Sequence, residues 1–306
     1  MLIINNPSGL RHEMPAGHPE RIARLETVFA VLADVDAERA EAPLATEADV
    51  ALCHPQGYID AMRAAQPTEG MVQIDADTSA SPGTWEAAMR GVGGCLLGVD
   101  RVLSGAHKRA FVATRPPGHH AEKTRAMGFC LFGSIAIAAR HALERHGLNR
   151  VAVVDFDVHH GNGTQDLLWD EPRALFISSH QMPLYPGSGA VHERGGSDNV
   201  LNLPLPPGSD GQAMRSRYTS HVFPRLRDWN PDLILISAGF DAHTRDPLAN
   251  LLWEAEDFAW VTRGLVGVAE EVCEGRIVST LEGGYDLQGL GDGVLAHATE
   301  LEDRDA

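Results

Sequence analysis

The sequence predicts a single α/β domain over residues 1–306, built on a parallel sheet with helices on both faces. Three observations carry this. Short apolar runs alternate with longer amphipathic stretches, the pattern of a parallel sheet covered on both sides. Polar, ionisable clusters stand directly after several of the runs, where open parallel sheets bind ligands. A length of 306 residues is enough for one large core and does not require two.

Taken in order, residues 2–4 read as a first buried strand. Residues 22–32 have helical spacing of apolar positions. Ser81-Pro82-Gly83-Thr84-Trp85-Glu86 is a turn leading into a helix over 84–103. A strand over 110–113 and a helix over 134–146 follow. Residues 151–154 and 174–178 are two more apolar, β-branched strands. Pro204-Leu205-Pro206-Pro207-Gly208-Ser209-Asp210-Gly211 is the most loop-like segment and reads as a surface connection. A helix over 213–228, a strand over 233–237, a helix over 254–273 and a strand over 277–281 complete the alternation. There is no internal repeat and no low-complexity linker.

Composition narrows the function classes. The 42 acidic and 25 basic residues give a formal net charge of −17. Such a surface either repels nucleic-acid backbones and favours cationic or neutral partners or serves solubility alone. Cys53, Cys95, Cys130 and Cys273 form no C-x-x-C pair, so neither a zinc knuckle nor a disulfide framework is expected. The opening Met-Leu-Ile-Ile-Asn-Asn is too short for a signal-peptide core, and no apolar run approaches membrane-spanning length. A cytoplasmic protein without a membrane partner is the expectation.

The richest stretch is Val151-Ala152-Val153-Val154-Asp155-Phe156-Asp157-Val158-His159-His160-Gly161-Asn162-Gly163. A buried strand has no use for carboxylates and imidazoles at its end, whereas a metal ion does. Asp157 and His159 are two apart, so an extended backbone turns them to one side. Mixed oxygen and nitrogen donors suit zinc or another divalent transition metal. Asp241 ends the run Leu233-Ile234-Leu235-Ile236-Ser237-Ala238-Gly239-Phe240, either as a third ligand or as an ordinary turn or helix-capping aspartate.

Arg115-Pro116-Pro117-Gly118-His119-His120 presents two histidines on a loop stiffened by proline. Neutral imidazole can act as a general base, and a second ring beside it can hold charge or pass the proton. Each ring needs an orienting partner, and Asp155 and Asn162 are the candidates. Tyr285, in Glu282-Gly283-Gly284-Tyr285, is either an oxyanion donor or a plain capping aromatic. Together these parts suggest metal-assisted amide hydrolysis. No G-x-S-x-G elbow competes, and Gly91-Val92-Gly93-Gly94 lies inside a helical pattern with no strand before it, so it is not a nucleotide fingerprint.

These segments, with Gly128-Phe129-Cys130, Asp155 through Gln165, Tyr185-Pro186-Gly187-Ser188-Gly189 and Ala238-Gly239-Phe240-Asp241, resemble the signature set of the histone deacetylase superfamily. That group also holds bacterial acetylpolyamine amidohydrolases and acetoin-utilisation proteins. The resemblance runs from His18-Pro19-Glu20 to Tyr285, and Gly161-Asn162-Gly163-Thr164-Gln165 resembles the class II branch. It implies the arginase-deacetylase fold, a mostly parallel sheet of about eight strands between helical layers. It implies one catalytic zinc on Asp157, His159 and Asp241. His120 is then the general base and acid, with His119 beside it, Asp155 orienting His119, Asn162 orienting His120, and Tyr285 serving the transition state. Gly128, Phe129 and Tyr185 become walls of a tunnel for an aliphatic amine chain. A structural potassium ion is implied on Asp155, Asp157, His159, Ser178 and Ser179, partly through backbone oxygens, and a second monovalent site on carbonyls near Leu168, Glu171 and Ala174. Arg24 falls where the family has an arginine near an acetate exit path.

On substrate, polyamine-selective members carry an acidic gatekeeper just after an Asp-Pro pair. Here Asp246-Pro247 is followed by Leu248, which offers no charge-assisted contact to an ammonium. The expected partner is therefore an acylated lysine side chain or a similar small-molecule or peptide acyl-amine, with an acetylpolyamine as the alternative. More remote are a binuclear manganese hydrolase of the arginase type, which needs carboxylates where His160 and Asn162 stand, and a non-catalytic acyl-amine binder.

Overall fold

The computed structural model describes residues 1–302 of the chain. The elements run β1 (Leu2–Asn5), a 3₁₀ turn Pro7–Arg11, α1 (Ile22–Leu32), β2 (Glu38–Glu41), α2 (Glu47–Val50), α3 (Gln56–Ala64), β3 (Val72–Gln73) and β4 (Ser79–Ala80). They continue with α4 (Thr84–Leu103), β5 (Arg109–Ala113), α5 (Ser134–Arg145), β6 (Val151–Asp155), α6 (Asn162–Leu168), β7 (Ala174–Gln181) and β8 (Val200–Leu205). The last part holds α7 (Gly211–Arg217), a π-turn Tyr218–Val222, α8 (Phe223–Trp229), β9 (Leu233–Ala238), α9 (Ala255–Val272), β10 (Ile277–Leu281) and α10 (Leu287–Leu301).

Eight strands form one sheet in the order β2-β1-β5-β10-β9-β6-β7-β8, and every pairing in it is parallel. β10, the last strand in sequence, sits between β5 and β9. β3 and β4 form a separate antiparallel hairpin.

Strand residues alternate between two apolar layers, as side chains on a pleated backbone must. Ile3, Phe111, Val154, Ile177 and Ile236 pack with α1, α9 and α10 residues such as Leu25, Phe258 and Val294. Their neighbours Ile4, Val112, Val153, Phe176 and Leu235 pack with Ile59, Val92 and Ile135 from α3, α4 and α5. The expected three-layer αβα domain is therefore the fold.

Several boundaries differ from expectation, among them β7, which runs on from Ser178 to Gln181. The segment read as loop from Pro204 begins inside β8, where Pro204 and Leu205 pair with His180 and Gln181. β8 is a sheet edge, and a proline's missing N–H is tolerated there. The helix expected over 213–228 begins at Gly211, capped by Asp210, and carries the π-turn before Phe223-Pro224. Among the described residues no helix is long and apolar enough to cross a membrane.

Candidate active site

β5, β10, β9 and β6 are consecutive in the sheet, and polar residues follow their carboxyl ends, whereas β7 beside them runs on to Gln181 and so holds Ser178 and Ser179 within the strand. Parallel pairing brings segments far apart in sequence to one rim.

Asp157, His159 and Asp241 meet there, each offering a donor atom within 4.8 Å of the others, and all three are buried. His159 Nδ1 lies 3.1 Å from Asp157 Oδ1 and 3.0 Å from Asp241 Oδ2. Backbone N–H groups fix both carboxylates: Val158 donates to Asp241 Oδ1, and Gly283 to Asp157 Oδ2 at 2.8 Å. A Cβ on Gly283 would stand 2.2 Å from Asp241 Oδ2, so only glycine leaves room for the cluster. Burial, and then the charge of Asp157, pushes the Asp241 carboxyl up to about 7. Two buried carboxylates pressed together need a cation, and this oxygen–nitrogen–oxygen set fits a zinc-type ion.

The histidine pair stands beside these donors. His119 and His120 have ring centroids 4.0 Å apart. His119 Nδ1 is 3.0 Å from Asp155 Oδ2, and its Nε2 is 3.8 Å from Asp157 Oδ2. Burial opposes a charge on His119, but Asp157 and Asp155 together outweigh it and hold its pKa well above the usual value. His120 is the reverse case. Burial, then His119 and His159, holds it well below the usual value, so its imidazole is neutral.

His120 Nδ1 lies 2.7 Å from Asn162 Oδ1. Asn162 Nδ2 donates to Glu122 Oε1 at 2.7 Å, which leaves Oδ1 as the acceptor. His120 Nδ1 therefore carries the hydrogen, and Nε2 is free to accept a proton.

A cavity of about 220 Å³ reaches His120 and His159, lined also by Asp77, Gly128, Phe129, Leu184, Tyr185, Leu248 and Tyr285. The three expected wall residues Gly128, Phe129 and Tyr185 are among them, as is Leu248. Phe129 adopts φ 69°, a left-handed conformation that costs a non-glycine residue about 1 kcal/mol or more. The β3–β4 hairpin holds it there. Thr78 Oγ1 accepts from Phe129 N, and Asp77 Oδ1 from Gly128 N, each at 3.0 Å. A Cβ on Gly128 would lie 2.3 Å from the His120 ring.

Glu282, Asp246 and Glu20, which had no role in the sequence reading, support the site together with Arg24. Glu282 accepts the N–H of Gly118 at 2.7 Å and of His119 at 3.2 Å, and bonds Ser237 Oγ, tying the histidine loop to β9 and β10. Burial pushes its carboxyl up to about 7. Asp246 accepts the Tyr285 N–H at 2.7 Å. Arg24 is fully buried, donates to Glu282 O and Gly284 O, and lies 4.8 Å over the Tyr285 ring. Glu20 pairs with both Arg24 and Arg115. A glutamate ending a buried strand was the available signal for Glu282, whereas Asp77 and Leu184 stand in segments with no periodicity to mark them.

The residues with an implied potassium role divide. Asp155 and Ser178 are register partners on β6 and β7. Ser178 Oγ meets His180 Nδ1, while Ser179 Oγ meets Tyr218 OH at 2.8 Å. The two hydroxyls point to opposite faces, so only that of Ser178 can share a site with Asp155. The carbonyls of Leu168, Glu171 and Ala174 converge on Asn199 Nδ2 at 3.0, 3.2 and 3.0 Å. An amide has two hydrogens for these three acceptors.

Fold and site together define a class: a parallel α/β protein whose strand ends gather acid–base groups and cation donors around one cavity. The histone deacetylase domain model matches residues 18–301. The chain belongs to the histone deacetylase family, and so to the hydrolases. It is 42% identical, over 96% of both chains, to the uncharacterized protein slr0245 of Synechocystis. It is 37% identical to a histone deacetylase-like amidohydrolase of Pseudomonas aeruginosa, over 88% of this chain and 73% of that one. The solved HD domain of HDA15 superposes with a TM-score of 0.92 at 30% identity, covering 98% of this chain and 87% of the other.

Proposed function

We propose that the chain is a zinc-dependent deacetylase that hydrolyses the amide of an acylated aliphatic amine, an acetyl-lysine side chain above all. The carrying observation is that a neutral His120 lines one cavity with His159, which belongs to the Asp157–His159–Asp241 donor cluster. When bound, zinc supplies a Lewis acid that polarises a carbonyl and acidifies water. Asp157, His159 and Asp241 hold it. His120 Nε2 takes the proton of the attacking water and returns one to the leaving amine. Asn162 fixes the ring for both transfers. His119, kept cationic by Asp157 and Asp155, stabilises developing negative charge and disfavours a second positive charge on His120. Tyr285 keeps its phenolic hydrogen and donates a hydrogen bond to the oxyanion.

Phe129, Leu184, Tyr185 and Leu248 suit an uncharged methylene chain, which favours acyl-lysine over a polyamine's internal ammonium. A potassium ion between Asp155 and Ser178, with backbone oxygens of Asp157, His159 and Ser179, would brace the loop that carries the zinc donors. The test is acetate release by zinc-loaded protein from acetyl-lysine peptides, longer-acyl lysines and acetylated polyamines. Turnover of lysine substrates ahead of polyamines is expected. Binding of acetyl-lysine without acetate release sinks the enzymatic reading, and a polyamine preference sinks the substrate assignment.

A further inference from the structure

We propose that Asp100, His141 and His146 form a second divalent-cation site of zinc type, remote from the candidate active site. Asp100 lies near the end of α4, His141 is on α5, and His146 caps the carboxyl end of α5 with αR backbone angles. Each of the three offers a donor atom within 4.8 Å of the others. His141 Nε2 is 2.8 Å and His146 Nε2 2.7 Å from Asp100 Oδ1. The two rings stand 5.2 Å apart at 70°, so both nitrogens converge on one point rather than stacking past it.

The chemistry of the set selects the ion. Two imidazole nitrogens and one carboxylate oxygen suit zinc, cobalt or nickel, whereas calcium and magnesium require more oxygens. Side-chain exposure is 12% for His141, 31% for His146 and 49% for Asp100, so one donor is shielded and the others face solvent. An ion can enter from solution, and water completes its shell.

The placement decides what the site does. α4 and α5 end where the chain turns back into β5 and β6, at the amino ends of the strands. The candidate active site is at the carboxyl ends. Zinc here clamps α4 to α5 and stabilises the folded chain by mass action without touching turnover.

Without an ion, Asp100 is simply an acceptor for two imidazole N–H groups, and the two arrangements give different metal counts. Full-length protein is equilibrated with Zn²⁺, desalted and assayed for zinc per chain, beside the triple variant Asp100→Asn, His141→Gln, His146→Gln. The variant is expected to hold one zinc fewer, to keep full acetate-release activity, and to lose the rise in melting temperature that the extra zinc gives the wild type. This difference does not depend on what the active site holds. Equal zinc counts overturn the proposal. The single variant His146→Gln, at an exposed position, guards against misfolding of the triple variant and should weaken the same equivalent at least tenfold. Anomalous scattering at the zinc edge from wild-type crystals should place a peak between the three side chains, and a second equivalent located elsewhere also overturns the assignment.

Discussion

Tyr285 is 7% exposed, and its environment keeps it a phenol. Burial raises its pKa well above the ordinary value, Arg24 pulls against this, and Asp241 and Asp157 add to it. Tyr285→Phe should therefore retain fold and zinc while losing turnover by roughly 10²–10³-fold, the usual cost of one oxyanion donor. Steady-state kinetics beside zinc content checks both halves, and near-normal kcat removes the assigned role. Gly283→Ala tests the donor cluster from the opposite direction, because its Cβ would press on Asp241 Oδ2 at 2.2 Å and Asp157 Oδ2 at 2.5 Å. The variant should keep its far-ultraviolet circular dichroism and lose bound zinc, and full occupancy would refute the crowding argument. At this scale the residues legible in sequence were those whose chemistry is out of place locally: Asp157, His159 and Asp241 at apolar strand ends. Glu282 carried the same signal at the end of β10 but no role, and Glu122 and Asp77 carried none, since each acts through partners that only the folded chain brings near.

Six strands read from the sequence, β1, β5, β6, β7, β9 and β10, all lie between two other strands in the sheet. Burial on both faces writes an uninterrupted apolar run, which is easy to see. The two edges were illegible for the converse reason. β2 reads Glu-Arg-Ala-Glu and β8 contains Pro204, and charge and proline are what keep edges from pairing further. α10 was hidden by Gly289, Gly291 and Gly293, which lower helix propensity. Its packing explains two of them: a Cβ on Gly293 would come within 2.6 Å of the Phe240 ring, and one on Gly289 within 2.8 Å of His243. Gly293→Ala should thus destabilise the protein by about 1–3 kcal/mol through overpacking, despite the better helix former. Chemical denaturation checks the sign, and a gain in stability would mean that Phe240 yields.

Across the whole molecule, buried neutral imidazoles couple stability to pH. His297 is fully buried, with Nδ1 2.7 Å from Thr262 Oγ1 and Nε2 2.8 Å from Ser279 Oγ. Thr262 donates its hydroxyl to Phe258 O, so it accepts from His297 Nδ1, and Ser279 donates to Nε2. This arrangement accepts only the neutral ring, and burial lowers its pKa from 6.5 to about 3. Above pH 6.5 its contribution is complete. Below, the unfolded chain takes up a proton that the folded chain refuses, so the contribution falls as pH drops toward 3. His297→Gln should accordingly cost about 2 kcal/mol less at pH 5 than at pH 7, read from urea unfolding at both pH values. An equal cost at the two would show that the ring titrates in the fold as it does in the unfolded chain.

The central seat of β10 bears on synthesis. Between β5 and β9 the sheet has a place that only β10, the last strand in sequence among the described residues, fills. A nascent chain released from the ribosome up to residue 276 has made Asp157, His159 and Asp241, yet it lacks the strand that joins the two halves of the rim and the Gly283 amide that fixes Asp157. A chain ending at residue 276 should therefore be inactive, whatever it keeps of the other strands.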